Sequence, residues 1–384
     1  MNALFLEPLD VLFLRGNKLF GDAGSYGESL LPPWPSVAAG ALRSRILADA
    51  KVDLAAFMRG EVTHPALGTP LQPGAFTLTA FHLARRNKDD GNIEPLFAPP
   101  ADLVLNEEEG QSSPKVASLK PTALAREIGT SFPLPQVPVL AQKAREKPVS
   151  GHWLTTSGWQ AVLRGELPNN PAHWIKSADL WKVDERIGIG LNAATRSVNE
   201  GQLFTTQAVA FERNAGFLAQ VTGCDTVPKA GLVRLGGDGR AAALCSANVT
   251  LPEPDYDALL TRRRLRLILT TPGLFAQGWL PTDASPGDTL VTSGAPFELH
   301  GVRGMLVAAA VPRAETVSGW DLANWRPKVA ERAAPTGSVY WLNQVEGDES
   351  ALRKLVAEGL WRTPDENAGR RAEGFNRCAL AAWF

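Results

Sequence analysis

Cysteine is scarce in this chain of 384 residues, which contains only Cys224, Cys245 and Cys378. The three are isolated in sequence, their number is odd, and no C-x-x-C pair occurs. A disulfide framework needs paired cysteines, and a structural zinc site uses closely spaced ligands. The sequence therefore argues against both kinds of scaffold.

Residues that commonly carry out chemistry are also sparse and scattered. Histidine occurs only at His64, His82, His152, His173 and His300. No phosphate-binding loop of the Walker type is present, no acidic pair marks a metal centre, and the Gly-x-Gly at 188–190 lacks the third glycine of a dinucleotide fingerprint. We therefore predict no cofactor, no metal and no catalytic residue.

The chain also lacks excess charge and long apolar runs. Its formal net charge is −1, so nucleic-acid binding would need a local basic surface rather than a global positive field. The apolar run at 11–14 is too short to cross a membrane, and residues 1–5 carry no basic leader. We expect a cytoplasmic protein with no membrane partner, and its 44% hydrophobic residues suffice for packed cores.

The most distinctive stretch is residues 185–211, ERIGIGLNAATRSVNEGQLFTTQAVAF. Gly188, Gly190 and Gly201 predict a loop in which the backbone adopts positive φ and comes close to another group. The apolar segment at 203–211 then favours a strand. A loop with polar residues that leads into a strand is a common position for a binding site.

Three polar residues occupy the middle of this stretch. Asn192 and Thr195 offer hydrogen bonds, and the planar guanidinium of Arg196 suits a phosphate. The alternative is an ordinary turn in which these side chains cap their own backbone.

The N-terminal region predicts a strand, a loop and a helix. Residues 3–15 favour a strand, and 16–27 carry four glycines and favour a loop. Ser36 is the predicted cap of a helix over 37–50, in which the costly Gly40 predicts a close approach of another group.

Basic and polar residues of this region are candidate ligands for phosphate. Arg15, Asn17 and Lys18 lie at the start of the loop, and Arg43 lies on the helix. The alternative for Arg43 is a solvated helix face.

The rest of the chain predicts an α+β protein in two domains. Local patterns favour helices at 155–164 and 349–359 and a buried strand at 265–270. The proline-rich residues 85–147 are irregular and favour an insertion, either a contact for a partner or a mobile excursion without one. Arginine is densest at 262–266, where either a phosphate or partner patch or a solvated strand edge would fit.

Four blocks carry a family resemblance. ERIGIGLNAATRSVNEGQLFTTQ is similar to the central motif of the Cas5-like RAMP (repeat-associated mysterious protein) subunit of type III-B CRISPR Cmr effector complexes. The opening EPLDVLFLRGNKLFGDAGSYGESLLPPWPSVAAGALRSRIL, the later LILTTPGLFAQGWLP and SGWDLANWRPKVAERAAPTGSVYWL, and the terminal EGFN resemble further blocks of that family in the same order.

The resemblance implies two ferredoxin-like (RRM-like) RAMP domains with Gly-rich loops. The N-terminal domain would comprise residues 1–215 and the C-terminal domain residues 216–384. The N-terminal domain would contain a long irregular insertion at about 85–180. Ser36, Gly40 and Arg43 match the family's Ser…Gly…Arg pattern in a helix near the guide RNA.

The resemblance further implies a non-catalytic subunit for antiviral defence that binds the repeat-derived 5′ tag of crRNA. Its partners would be the large polymerase/cyclase-like subunit and the adjacent RAMP backbone subunit, with target RNA contacted only indirectly. The candidate RNA-binding residues are Arg15, Asn17, Lys18, Ser36, Gly40, Arg43, Gly188, Gly190, Asn192, Thr195, Arg196 and Gly201. Trp279 or Trp320 could stack a base, although burial is commoner for a large tryptophan.

Two alternatives remain open at this point. The chain could be a metal-independent endoribonuclease for CRISPR repeats, with His64 or His82 as the base. It could also be a purely structural adaptor that contacts only protein.

Overall fold

The computed structural model describes residues 2–16, 26–106, 113–124, 132–142, 147–281, 294–321, 324–363 and 365–384. The α-helices are α1 (Pro35–Asp49), α2 (Leu54–Met58), α3 (Thr156–Arg164), α4 (Tyr256–Arg262), α5 (Glu349–Glu358) and α6 (Ala368–Ala372), and 3-10 turns occupy Pro171–His173 and Ser177–Asp179. None of the described helices is both long and apolar enough to cross a membrane.

Strands account for more of the fold than helices. They are β1 (Asn2–Pro8), β2 (Tyr26–Gly27), β3 (Thr77–Arg86), β4 (Ile93–Leu96), β5 (Leu103–Asn106), β6 (Lys115–Ser118), β7 (Lys120–Ala123), β8 (Gln136–Val139), β9 (His152–Leu154), β10 (Trp174–Lys176), β11 (Trp181–Leu191), β12 (Val198–Phe211), β13 (Ala215–Thr222), β14 (Ala230–Arg234), β15 (Ala241–Ala247), β16 (Arg264–Leu269), β17 (Ala295–Leu299), β18 (Val302–Ala310), β19 (Glu315–Val317), β20 (Trp320–Asp321), β21 (Arg326–Pro327), β22 (Glu331–Ala333), β23 (Val339–Glu346) and β24 (Cys378–Ala381). The predicted mixed α+β class is confirmed.

Spatial contacts divide the chain into two units, each built from three segments. Unit 1 contains residues 1–93, 178–248 and 316–331, and unit 2 contains 94–177, 249–315 and 332–384. Most of the irregular stretch at 85–180 therefore belongs to unit 2 by its contacts. The domain limits implied by the resemblance, 1–215 and 216–384, stay a prediction.

Unit 1 is organised around a sheet in which β14, β15, β1, β13 and β3 lie side by side in this order. The central strand β1 pairs antiparallel with β13 on one side and with β15 on the other. Leu4, Phe5 and Leu6 are consecutive and all fully buried, so both faces of β1 are covered. This explains the continuous apolar run near the N-terminus.

Helix α1 begins at Pro35 and is not capped by Ser36. Trp34 occupies the N-cap position without a side-chain hydrogen bond, and proline fits the first helical turn because it has no N–H to satisfy. The predicted Ser36 cap is therefore wrong. Gly40 is exposed, and no described atom would lie within 4 Å of a Cβ placed there, so packing within the chain does not require glycine.

Unit 2 is organised around a five-stranded antiparallel sheet with the order β17-β18-β23-β16-β24. The predicted buried strand is β16, and the two predicted helices are α3 and α5. Thr155 caps α3 by accepting from the Gly158 N–H at 3.3 Å, and Asp348 caps α5 by accepting from the Ala351 N–H at 2.7 Å. These local caps made both helices predictable.

Arg266 is a buried charge that joins distant parts of unit 2. Its Nη1 donates to Asp102 Oδ2 at 2.6 Å, and neither side chain is exposed to solvent. Its Nε donates to the Ala382 carbonyl and its Nη2 to the Val162 carbonyl, each at 2.7 Å. The guanidinium carbon lies 3.7 Å from the centre of the Phe384 ring.

The arginine-rich segment is therefore not one surface patch. Arg266 points into the core, Arg264 lies over the Trp383 ring, and Arg263 pairs with Glu346 at 2.8 Å. Arg266 is neither part of a phosphate or partner patch nor part of a solvated strand edge, so both interpretations were wrong for this residue. Its ion-pair partner lies 164 positions away in the sequence, where no local pattern indicates it.

We expect Asp102→Ala to lower the free energy of unfolding by about 3–5 kcal/mol, because it leaves the Arg266 charge buried without its counter-charge. Urea unfolding of the full chain at neutral pH measures the loss. Arg303→Ala is the control, since the Arg303–Glu298 pair is about two-thirds exposed and should contribute less than about 1 kcal/mol. Equal effects of the two substitutions would contradict the assignment.

Candidate nucleic-acid interface

The distinctive stretch of the sequence forms a long β-hairpin, here called the 181–211 hairpin, from strands β11 and β12. The strands pair from Trp181 with Phe211 to Ile189 with Leu203, and after a register shift Leu191 pairs with Val198. At about 3.3 Å per residue, the 11 residues of β11 span roughly 35 Å. The turn itself is short and covers 192–197.

The glycines lie in the strands, not in the predicted loop. Gly188 and Gly190 are part of β11 and do not have positive φ, and Gly201 is part of β12. A Cβ on Gly188 would overlap the Phe204 ring, and one on Gly190 would overlap the Gln202 side chain. The prediction of positive φ was wrong for Gly188 and Gly190, because both glycines instead make room for side chains of the facing strand.

The base of the hairpin is fixed to unit 1. The Phe211 ring packs against Trp181, with ring centres 6.1 Å apart, and against the core residue Phe217, at 5.2 Å. Leu12 and Val209 exchange two backbone hydrogen bonds of 2.9 and 2.8 Å. The strand that reaches the tip is thus held by the same core that buries β13.

A polar network joins the N-terminal region to the side of the hairpin. The Tyr26 hydroxyl donates to Glu185 at 2.7 Å and accepts from the Gln207 amide at 2.5 Å, and the Ser29 hydroxyl donates to the Gln207 carbonyl at 2.7 Å. The hydrogen bond to Glu185 is the main cause that raises the pKa of Tyr26. Arg15 forms a backbone bridge with Ser29, which brings it to this network.

Sequence reasoning missed Tyr26, Glu185 and Gln207 as a set. Tyr26 is 159 positions from Glu185, and no local pattern connects residues at that distance. Asn17 and Lys18, the other candidates of the N-terminal loop, lie outside the described residues.

The tip of the hairpin is ordered by its own polar groups. Asn192 Oδ1 accepts from the N–H groups of Ala194 and Thr195 at 2.9 and 3.2 Å. The Thr195 and Ser197 hydroxyls lie 2.7 Å apart, and the Arg196 N–H donates to the Asn192 carbonyl at 2.8 Å. Asn192 and Thr195 therefore support the turn, as the alternative interpretation held.

Arg196 differs from these neighbours. Its backbone has a φ of 55°, its side chain is exposed, and its guanidinium has no hydrogen-bond or ion-pair partner among the residues that the structure describes. The self-capped tip thus presents one cation whose donors are unused.

Exposed aliphatic side chains cover the outer part of the hairpin. They are Ile187, Ile189, Leu191, Val198 and Leu203, and Ile187 is 74% exposed. Along residues 181–211, three basic residues are balanced by three acidic residues. A ligand on this surface would therefore be bound mainly by apolar contacts. Arg196 would add one charged contact at the tip.

The candidates on α1 have contacts of their own. The Arg43 guanidinium lies 5.3 Å from the centre of the Phe76 ring, and Ser36 is partly buried in the first turn. The hairpin and the N-terminal region are joined by hydrogen bonds, whereas Ser36, Gly40 and Arg43 form a separate group on the helix.

The two histidines considered as catalytic bases hold structural positions. Burial lowers the pKa of His82, on the core strand β3, to about 4. His64 is buried, and its Nδ1 accepts from the N–H groups of Ala66 and Leu67 at 3.2 Å. The lone pair of His64 Nδ1 is therefore engaged within its own turn.

Together these features define a mixed α+β protein with an exposed β-hairpin whose base is anchored in the core of unit 1. The family model described as CRISPR-associated protein (Cas_Cmr3) matches residues 4–383, and the chain belongs to this family. The family resemblance found in the sequence blocks is confirmed.

Solved structures of low sequence identity share the fold. A chain of the cryo-EM structure of the Type III-B Cmr-beta bound to cognate target RNA and AMPPnP, state 1, is 16% identical, with 99% of each chain covered and a TM-score of 0.51. A chain of the Type III-B Cmr-beta bound to cognate target RNA is also 16% identical, with 99% of this chain and 96% of that chain covered and a TM-score of 0.50. No curated protein matches the chain.

We expect Gly188→Ala to loosen the hairpin, because the new methyl group overlaps the Phe204 ring. Overpacking of this kind costs about 1–3 kcal/mol, so amide hydrogen exchange across 181–211 should accelerate by about tenfold. Phe204→Ala in the same chain should restore slower exchange. Gly40→Ala is the control, since it meets open space and should be neutral or stabilising; wild-type exchange in Gly188→Ala would refute the packing role.

We expect His82 to make the fold weaker in acid. Its pKa is about 4 in the folded chain and 6.5 in its usual state, so the unfolded chain binds the proton more readily. The stabilising effect is complete above pH 6.5 and is lost as the pH falls toward 4. Between pH 7.5 and 5, the wild type should lose about 2 kcal/mol more unfolding free energy than His82→Leu; parallel losses in urea unfolding would contradict the assignment.

Proposed function

We propose that this chain is the non-catalytic subunit of a type III-B CRISPR interference complex that binds the repeat-derived 5′ tag of crRNA in antiviral defence. The family match over 4–383 supports the assembly. The protein would dock on the large polymerase/cyclase-like subunit and on the adjacent RAMP backbone subunit, contact target RNA only indirectly, and act in the cytoplasm.

The observation that carries the RNA assignment is the unused guanidinium of Arg196 at an ordered tip. A guanidinium donates through a planar fork that fits two phosphate oxygens. Because Asn192 and Thr195 already fix the turn, RNA binding would require little further ordering of the loop. The exposed aliphatic side chains beside the tip offer a surface for unstacked bases.

The remaining candidates extend this surface in the proposal. Gly188 and Gly190 act indirectly, because they make room for Phe204 and Gln202 and so keep the two strands of the hairpin paired, and Gly201 is a candidate for direct contact with a nucleotide. Arg15, Asn17 and Lys18 add phosphate contacts from the N-terminal side. Ser36, Gly40 and Arg43 extend the RNA-binding surface on α1, where the open space at Gly40 admits a ligand backbone.

The topology supports two ferredoxin-like domains. In unit 1 the strands β15, β1, β13 and β3 lie side by side, which is the order fourth, first, third, second. In unit 2 the strands β24, β16, β23 and β18 repeat this order. Helix α1 follows the first strand of unit 1 and α5 follows the third strand of unit 2, so each unit keeps one helix of the βαββαβ motif.

Absence of catalysis is part of the proposal. His64 is engaged through Nδ1 in a buried turn, and His82 lies in the core of unit 1. A base for RNA cleavage must come within hydrogen-bond reach of the ribose hydroxyl. Neither burial nor the turn favours that contact, so we propose binding rather than cleavage.

We expect Arg196→Ala in the assembled complex to weaken binding of the tag by about 1–3 kcal/mol, because a phosphate loses a charge-assisted hydrogen bond. The tagged protein is purified from its native cells, and the small RNA that accompanies it is quantified and sequenced. Wild-type complexes should contain guides that share one repeat-derived 5′ end, and Arg196→Glu should retain few of them.

Lys182→Ala is the matched control, because Lys182 lies at the base of the same hairpin, is 75% exposed and pairs with Glu212. It should retain guide RNA at the wild-type level. RNA with random ends in the wild-type complex would overturn the proposal. Equal retention by Arg196→Glu and wild type, with assembly intact, would favour an adaptor that contacts only protein.

A further inference from the structure

Unit 1 contains a further, short β-hairpin that exposes two large aromatic rings. Strands β20 and β21 pair Trp320 with Pro327 and Asp321 with Arg326. Trp320 is 49% exposed and Trp325 is 70% exposed, although tryptophan is usually among the more buried residues. We call Trp320 and Trp325 the tryptophan pair.

The tryptophan pair is held in place by hydrogen bonds rather than by burial. Asp321 accepts from the Asn324 N–H at 3.1 Å and from its side-chain amide at 2.9 Å. The Lys328 N–H donates to the Gly319 carbonyl at 2.8 Å. A two-stranded hairpin is marginally stable by itself, so these bonds maintain a conformation in which the rings remain in solvent.

The geometry of the tryptophan pair leaves ring faces available. The ring centres are 5.9 Å apart and the planes meet at 86°, so one ring touches the other edge to face. The ring that contributes its edge therefore has neither face covered by the other ring, and both rings are at least 49% exposed. Open faces suit stacking by another flat group, whereas an aromatic anchor of a protein interface is usually inserted into a pocket.

A cation with unused donors directly follows the tryptophan pair. Arg326 is exposed, and its guanidinium has no hydrogen-bond or ion-pair partner in the described part of the chain. Its cross-strand neighbour Asp321 is bound to Asn324. An open aromatic face next to a free guanidinium is the combination that binds single-stranded nucleic acid, through base stacking and phosphate contact.

We propose that the tryptophan pair and Arg326 form a second contact for single-stranded RNA, in which an unpaired base stacks on an indole and Arg326 binds a phosphate. This inference rests on the proposed function in taking RNA as the ligand, but it uses neither the 181–211 hairpin nor Arg196. Its sequence preference is weak, because every base has a face that can stack.

The test uses the full chain and a fluorescein-labelled, unstructured RNA of mixed sequence, about twelve nucleotides long, with affinity measured by anisotropy. Trp320→Ala with Trp325→Ala should weaken binding by about 5- to 150-fold for each base that loses its stacking partner. Trp320→Phe with Trp325→Phe should stay within about threefold of wild type, because phenylalanine retains a ring that can stack. Arg326→Ala should make the dependence of log K on log salt shallower by about 0.7, which corresponds to one phosphate contact on a single strand.

The outcomes separate this contact from the proposed function. If the alanine variants bind the RNA as wild type does while Arg196→Ala weakens binding, the second contact is refuted and the hairpin site stands. If the alanine variants lose affinity and Arg196→Ala does not, the hairpin assignment fails and the second contact stands. Failure of the wild-type chain to bind the RNA at 50 mM salt also overturns this contact. The alanine variants are also purified from native cells; if they lose partner subunits while their RNA affinity is unchanged, the tryptophan pair docks protein and the RNA contact is refuted.

Discussion

The buried ion pair of Arg266 and Asp102 is the constraint on which unit 2 depends. A charge without solvent must be satisfied by partners inside the protein. Arg266 meets this requirement with a carboxylate ahead of β5, a carbonyl near the end of α3 and a carbonyl after β24. The guanidinium therefore fixes three segments, far apart in sequence, around β16. This contact is one of those that join the proline-rich stretch to unit 2, although the sequence of the stretch favours an irregular insertion.

In unit 1 the corresponding constraint is the position of β12. This strand continues after a short turn into β13, which is buried in the central sheet. Phe211 packs on Phe217 across that turn, and Leu12 pairs with Val209. Strand β12 therefore begins at the exposed tip of the hairpin and ends at Phe211, which packs against the core. Candidate residues in a turn between two such anchored strands are placed more accurately than residues on a free loop.

The parts of the fold that the sequence predicted well have local causes. Helices α3 and α5 are capped at their N-termini by Thr155 and Asp348 and at their C-termini by Gly165 and Gly359, so the signals that predict them lie next to each helix. Strand β16 follows from the apolar-rich sequence LRLIL, which has the length of a strand although it contains Arg266. For such elements the determining interactions lie close in sequence, and the pattern alone is sufficient.

Residues 185–201 were predicted as a loop, although their sequence also contains a pattern that is typical of a strand. Ile187, Ile189 and Leu191 alternate with Gly188 and Gly190, which is the period of a strand. The glycines favour a loop and so mask this alternation, and the role of Gly188 as space for Phe204 depends on the facing strand. The hydrogen bond of Tyr26 with Glu185 and the ion pair of Arg266 with Asp102 could not be predicted in this way. In each pair the two residues lie more than 150 positions apart in the sequence. No local pattern can supply such pairs.

The surface of the hairpin also limits how the proposed RNA contact can work. With equal numbers of acidic and basic residues along 181–211, electrostatic attraction cannot be its main contribution. Burial of an exposed aliphatic side chain contributes about 1.5–3 kcal/mol, so a few such contacts outweigh one phosphate bond to Arg196. The hairpin by itself would hold a nucleotide mainly by apolar contact and would depend little on salt. Each phosphate contact on a single strand changes the slope of log K against log salt by only about 0.7. Any strong salt dependence of RNA binding by the proposed complex must then come from cations elsewhere on this chain or on neighbouring subunits.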